Sequence, residues 1–230
     1  MVPAYNEEAG LEATIVGQVK GMKELTEDYE ILIINDKSED RTAEIADRLA
    51  REHNRVRVVH NEINRGLGYN YQLGYQLATK EYVILIPGDN EVLPESVNGI
   101  CREIGSAEII ITYMENAHIR PPVRRLASWG FTCLVNWISG YRLRYYNGTN
   151  IQKKANLMRT TPVTASFAFQ AEILLQLLKM GLSYREVPFQ LNFSSKRIAA
   201  FNPKNVLNVN LTLLRLIWKY RIAPILRRSK

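Results

Sequence analysis

Val2-Pro-Ala-Tyr-Asn-Glu-Glu8 turns an apolar strand end into a polar loop. The same change recurs at Ile31–Asp36, where Ile-Leu-Ile-Ile runs into Asn35 and Asp36. It recurs again at Tyr82–Glu91, where Tyr-Val-Ile-Leu-Ile gives way to Pro-Gly-Asp-Asn-Glu. Ligands of open α/β sheets bind outside the carboxyl ends of the strands, so these breaks predict one shared cleft.

The stretches between them supply the rest of an alternating fold. Glu30–Asn35 is a continuous apolar run of strand length, as in a strand buried on both faces. Asp40–Glu52 carries Ala43, Ile45, Ala46, Leu49 and Ala50 at helical spacing. Val56–His60 reads as a strand, Leu67–Ala78 as a helix, and Tyr82–Ile86 as a strand. Pro94 suits a helix start, Val97, Ile100, Cys101 and Ile104 its buried face, and Gly105 its stop. Glu108–Thr112 is a further strand. Alternation of this kind predicts an α/β protein with a mostly parallel sheet flanked by helices.

Beyond Pro121-Pro122 the rhythm fades. Val123–Ile138 mixes Leu126, Trp129, Phe131, Leu134 and Trp137 with Arg124 and Arg125. Asn147-Gly148 predicts a hairpin turn. Phe169–Lys179 reads as a helix, and Tyr184–Val187 and Phe189–Phe193 as strand pieces around Pro188. Lys204–Tyr220 is an amphipathic helix. Asn208, Thr212, Arg215 and Lys219 form its narrow polar stripe, opposite Leu207, Leu211, Leu214, Ile217 and Trp218. Residues 1–115 thus form a first half, 116–203 a second half of the same domain, and 204–230 a C-terminal helix. That helix lies in a membrane interface or packs on the domain or on a second subunit.

Charge separates the halves more sharply than the net +7 of the 230-residue chain conveys. Residues 1–115 hold 11 Lys and Arg against 21 Asp and Glu, a net of −10. Residues 116–230 hold 19 against only Glu172 and Glu186, a net of +17. A basic half of this kind predicts an anionic partner: a phosphorylated substrate, an acidic membrane surface or nucleic acid. The acidic first half argues against nucleic acid. Cys101 and Cys133 fit no metal spacing and suit a reducing, cytosolic setting. The first residues read as a site and not as an apolar leader, so no secretory signal is expected. No run of 18 apolar residues predicts a full membrane span.

The chemistry-bearing residues follow in a fixed order. Pro3-Ala4-Tyr5-Asn6-Glu7 comes first, then Asp36 with Ser38, Asp40 and Thr42. Asn64-Arg65-Gly66-Leu67-Gly68 follows, then Pro87-Gly88-Asp89-Asn90-Glu91. In that order and spacing they resemble the nucleotide-sugar-binding half of inverting family-two glycosyltransferases, which have the Rossmann-like GT-A fold. Arg124-Arg125 with Ser128, Phe167-Ala168-Phe169 leading to Glu172, and Glu186-Val187-Pro188 before a basic stretch are similar to the polyprenyl-phosphate sugar synthases, such as the dolichol-phosphate mannose synthases.

The resemblance implies transfer of a hexose from a nucleotide-diphosphate sugar to a polyprenyl phosphate, with inversion and with Mg²⁺ or Mn²⁺. It implies a cytoplasmic protein held peripherally at the inner face of a membrane, with oligomers possible. Tyr5 can cover the base or ribose, and Glu7 can accept a ribose hydroxyl. Asp36 can accept a base N–H or serve as the anion at a helix start, a role that Ser38 or Asp40 can also fill. Gly66 and Gly68 let the backbone approach a ligand. Pro3, Ala4, Tyr5, Glu7, Asp36, Gly66, Gly68 and Asp89 are therefore the expected donor site.

Asp89 and Glu91 are the expected metal ligands, with Pro87 where the family's Asp-X-Asp has its first carboxylate. Arg124, Arg125, Ser128 and Arg197 match the acceptor-phosphate side, where arginine's fork suits phosphate oxygens. Asp89 and Glu172 are the expected catalytic residues. Glu172 is the base if the acceptor is a hydroxyl of a cell-surface glycan; otherwise it orients an arginine or makes a plain salt bridge. A non-catalytic nucleotide-sugar-binding scaffold at a membrane surface is the remaining alternative.

Overall fold

Each apolar run becomes a strand of one twisted sheet. The computed structural model describes residues 1–161, 164, 168–192 and 203–223, without the side chains of 203–206. The strands are β1 (Val2–Ala4), β2 (Ile31–Asn35), β3 (Val56–His60), β4 (Tyr82–Ile84), β5 (Ile109–Met114), β6 (Ile151–Lys153) and β7 (Tyr184–Phe189). The helices are α1 (Leu11–Leu25), α2 (Thr42–Glu52), α3 (Leu67–Leu77), α4 (Pro94–Cys101), α5 (Pro122–Ser139), α6 (Lys154–Leu157), α7 (Phe169–Lys179) and α8 (Pro203–Ile217). A 3-10 turn at Ala117–Ile119 precedes α5, and a π-helical turn at Trp218–Ile222 extends α8.

Strands β1, β2 and β3 pair in parallel, and β4, β6, β5 and β7 are neighbours in that order. Met1 joins the two groups: its nitrogen donates to the Ile84 carbonyl at 2.8 Å and its carbonyl accepts from Ile86 at 3.0 Å. The order across the sheet is therefore β3-β2-β1-β4-β6-β5-β7. Only β6 runs against its neighbours.

Successive side chains of a strand point to opposite faces, and here each face has its own core. Ile110 faces α1, α2 and α4, with Leu11, Ile15, Leu49, Val97 and Ile100. Ile109 and Ile111 face α3, α5 and α7, with Tyr71, Val135, Ile138, Phe169 and Leu174. A strand enclosed on both sides has no polar face, which is why Ile31–Asn35 reads as one apolar run.

Three expectations change. Asn147-Gly148 makes no hairpin but lies in the connection from α5 to β6. Its glycine is there for space: a Cβ at Gly148 would stand 2.6 Å from the Thr112 carbonyl oxygen. Strand β7 runs unbroken through Pro188, which suits the outermost strand of the sheet. Phe193 lies outside the described residues. Finally, α8 does not bury its broad apolar side. It packs through Thr212, Leu213 and Leu216, and the Thr212 hydroxyl is satisfied by the Asn208 carbonyl. Leu207, Leu211, Leu214 and Trp218 stay exposed.

Candidate active site

The strand-end loops gather at one edge of the sheet and are held by side chains that accept backbone N–H groups. Ser38 accepts the Asn6 amide at 3.0 Å, Thr42 the Glu7 amide at 2.8 Å, and Asp40 the Glu8 amide at 3.2 Å. In return, Asn6 accepts the Glu39 amide at 2.8 Å. The loops after β1 and β2 are thereby cross-linked. Among the described residues, Asn6, Lys37 and Asn90 are the non-glycine residues with positive φ, at 56°, 61° and 58°. Each lies just past β1, β2 or β4. L-residues avoid that conformation, and where they adopt it the surroundings enforce it.

Pro3 and Ala4 are buried in β1, while Tyr5 is exposed at the mouth and Glu7 is half-buried. Asp36 is buried, and its two oxygens accept Asn61 Nδ2, the Arg65 amide and the Gly66 amide, each at 2.8 Å. It fixes the 61–66 loop, and Gly66 turns that loop into α3 with φ 83°. A carboxylate has about four acceptor positions, and these three bonds fill most of them. Of the readings open in the sequence, Asp40 is the anion at the start of α2: it accepts the Thr42 amide at 3.0 Å. Burial raises its pKa, but hydrogen bonds from the Thr42 hydroxyl and amide and from Glu8 outweigh that and hold it below the usual value. Gly68 is buried in the first turn of α3.

Asp89 follows β4. Burial first, then the charge of Glu91, push its carboxyl above the usual range, while the Glu91 amide and Arg124 pull it back in part. Gly10 makes room for this loop, since a Cβ there would meet the Asp89 carbonyl carbon at 2.8 Å. Glu91 does not turn to the same side as a free ligand. Its carboxylate is buried between Arg120, at 3.7 Å, and Arg124, at 3.6 Å. Among the described residues, no group of three His, Cys, Asp or Glu is placed to hold a metal. One or two carboxylates with phosphate oxygens and water are the usual protein share of a Mg²⁺ site. A largely desolvated Asp89 beside a second carboxylate fits that share.

A groove of about 650 Å³ lies between the end of β5 and the start of α5, where the acceptor-phosphate residues were expected. Arg125, Ser128, Leu126 and Trp129 line one wall, and Tyr113, Arg144 and Tyr145 the other. Arg144 stacks on Tyr113 with 4.4 Å to the ring centre. The described structure thus brings Arg125 and Ser128 together at the groove, with Arg124 beside them on Glu91. Arg197 lies outside the described residues. Glu172 is not among the groove residues; it sits in the first turn of α7 and accepts the Thr164 amide at 2.8 Å. Sequence reasoning missed Arg120, whose side chain is only 10% exposed and lines the same groove. Its signal was the Pro-Pro step that follows, which fixes where the chain turns.

Residues 1–166 match the family described as glycosyl transferase family 2. Over 148 residues the chain is 28% identical to a dolichyl-phosphate beta-glucosyltransferase of Trichomonas vaginalis, covering 59% of this chain and 46% of that protein. Over 204 residues it is 23% identical to the undecaprenyl-phosphate mannosyltransferase of Micrococcus luteus, covering 82% and 80%. The chain spans about half the length of the Trichomonas protein. Its fold is similar to that of glucosyl-3-phosphoglycerate synthase from Mycobacterium tuberculosis, solved with Mn²⁺ and UDP-glucose. The TM-score is 0.69 at 14% identity, covering 95% of this chain and 77% of that one. The sheet, its flanking helices and the loops at their edge are the GT-A arrangement, and the chain belongs to glycosyl transferase family 2.

Proposed function

We propose that this glycosyltransferase moves a hexose from a nucleotide-diphosphate sugar to a polyprenyl phosphate, inverting the anomeric centre in one displacement. The observation that carries this reading is that Glu91, two residues after Asp89, pairs with Arg124 and with Arg120, and that Arg120 lines a groove both basic and apolar. A lipid phosphate is already ionised, so it needs positioning and relief of charge repulsion more than a general base. Arg124, Arg125 and Ser128 would hold its oxygens, and Leu126 and Trp129 its first isoprene units. Tyr5, Glu7, Asp36, Gly66 and Gly68 would frame the nucleoside. Asp89, with Glu91, would hold Mg²⁺ or Mn²⁺, which when bound offsets the diphosphate charge of the leaving nucleotide. The names of the Trichomonas and Micrococcus relatives support the polyprenyl-phosphate acceptor.

No helix among the described residues is long and apolar enough to cross a membrane. Val123, Leu126, Trp129 and Trp137 on α5 are nevertheless exposed, as are Leu207, Leu211, Leu214 and Trp218 on α8. Arg221 lies over the Trp137 ring, between the two helices. Exposed apolar residues flanked by cations suit peripheral attachment to the cytoplasmic face of a membrane.

The test is incubation of the chain with UDP- and GDP-hexoses, Mn²⁺ and undecaprenyl or dolichyl phosphate in mixed micelles. The expected product is a lipid-extractable glycosyl phosphate whose anomeric configuration, read by NMR, is opposite to that of the donor. Retained configuration would refute the single displacement, and transfer to a hydroxyl acceptor alone would refute the lipid phosphate.

A further inference from the structure

Glu91, Arg120 and Arg124 form a cluster that is closed by charge but not by hydrogen bonds. The Glu91 side chain is 9% exposed and that of Arg120 is 10%. Both ion pairs, at 3.7 and 3.6 Å, are longer than hydrogen bonds. The Arg120 Nε is buried with no partner among the described residues, and Nη1 makes one long hydrogen bond, to the Tyr145 hydroxyl at 3.5 Å. Buried charges that attract without hydrogen bonding recover little of what they lose in leaving water.

The backbone around them is nonetheless firmly set. Asn116 bonds both the amide and the carbonyl of Leu191, at 3.0 and 2.9 Å, and Asn192 donates to the Glu91 carbonyl at 2.7 Å. The loop carrying Arg120 and the loop carrying Glu91 are thus tied to the same short segment after β7. Only the side chains are left under-satisfied, and Arg120 faces the acceptor groove.

We infer that Glu91 is an internal counter-ion occupying the two arginines in place of a phosphomonoester, and that Arg120 is a phosphate-binding residue of the acceptor groove. A tetrahedral phosphate supplies the close, forked acceptors that the carboxylate does not reach. When Glu91 turns toward a cation on the Asp89 side, Arg120 and Arg124 are released toward the groove. Filling the donor side therefore strengthens phosphate binding on the acceptor side, and by linkage the reverse holds equally. This rests on the proposed function for the meaning of the two sides, but its test needs neither donor nor transfer.

The experiment is calorimetric titration of the full chain, without metal, with inorganic phosphate and with n-hexyl phosphate. Removing the competing charge in Glu91→Gln is expected to tighten both ligands about tenfold, the scale of one close charge pair. Arg120→Met is expected to abolish that gain in the double variant and to weaken phosphate binding in the parent chain. Circular dichroism checks that each variant is folded. Should Glu91→Gln not fold, Glu91→Asp withdraws the carboxylate by one methylene and carries the same expectation in smaller size. Unchanged or weaker phosphate binding in a folded Glu91 variant would overturn the inference, as would wild-type phosphate affinity in Arg120→Met. A failure of sugar transfer would count against the proposed function alone, since the phosphate titrations would still be read.

Discussion

The loops after β1, β2 and β4 and the segment from β5 into α5 meet where Glu91 pairs with Arg120 and Arg124, but are held in different ways. On the acidic side, nearly every carboxylate and hydroxyl that points inward already accepts a backbone amide: Asp36 takes two, and Asp40, Ser38 and Thr42 take more. On the basic side, Arg120 and Arg124 make loose ion pairs to Glu91, Arg120 adds one long hydrogen bond to Tyr145, and Arg144 rests on a ring. Hydrogen bonds made before the ligand arrives preset the geometry and lower the cost of ordering on binding. Charges left half-paired instead keep their attraction for an incoming anion. Under the proposed function, a frame for a nucleotide and a receptor for a phosphate would be built by opposite uses of the same polar groups.

The largest effect that sharpens this contrast belongs to Asp89. Asp89→Asn is expected to slow transfer about a thousandfold, since several kcal/mol of charge stabilisation depend on that carboxylate. Its melting temperature should not fall, because burial and the neighbouring Glu91 already disfavour the ionised group. A variant that loses stability along with activity would show Asp89 to be part of the frame. Asp36→Ala carries the second effect. It takes the acceptor from the Arg65 and Gly66 amides and leaves Asn61 Nδ2 with Asn70 alone, at a cost of about 3 kcal/mol in urea unfolding. Unchanged stability would mean that the 61–66 loop is held by something else, and the acidic side would lose its claim to be preset.

Much of this frame was legible in the sequence because its signals are local. Apolar runs ending in Asn35-Asp36 or Pro87–Glu91 mark strand ends, and glycines mark helix starts, so the sheet and the loops at its edge could be placed. The acceptor side was less legible because its contacts are distant in sequence. Glu91 meets Arg120 and Arg124 across α4 and β5, and nothing in the spacing tells a metal-facing carboxylate from one that faces two arginines. Asn147-Gly148 has the composition of a turn, but its glycine answers to a strand some 35 residues earlier. Helix α8 was legible as amphipathic, with its place at an interface or on the domain left open. Amphipathicity identifies an apolar side, and only the packing of Leu213 and Leu216 reveals that another side faces the core.

Asp40 gives the smallest effect and tests whether charge, as well as shape, presets the acidic side. Its folded pKa lies below the ordinary 3.8 because hydrogen bonds from Thr42 and Glu8 outweigh its burial. A carboxyl with a depressed pKa stabilises the fold above its unfolded pKa, and that contribution is lost as pH falls through the folded value. Asp40→Asn keeps the shape and one acceptor oxygen but removes the charge. It should cost about 1 kcal/mol at pH 7, in the range of a lost helix-start residue. The gap between variant and parent should close as the parent's own carboxyl protonates below pH 4. Urea unfolding of both chains at pH 7, 5 and 3 measures that gap. A gap that persists undiminished at the lowest pH would assign the hold on Glu8 and Thr42 to shape alone. The two sides of the cleft would then differ in how well their polar groups fit, and no longer in whether their charges are already spent.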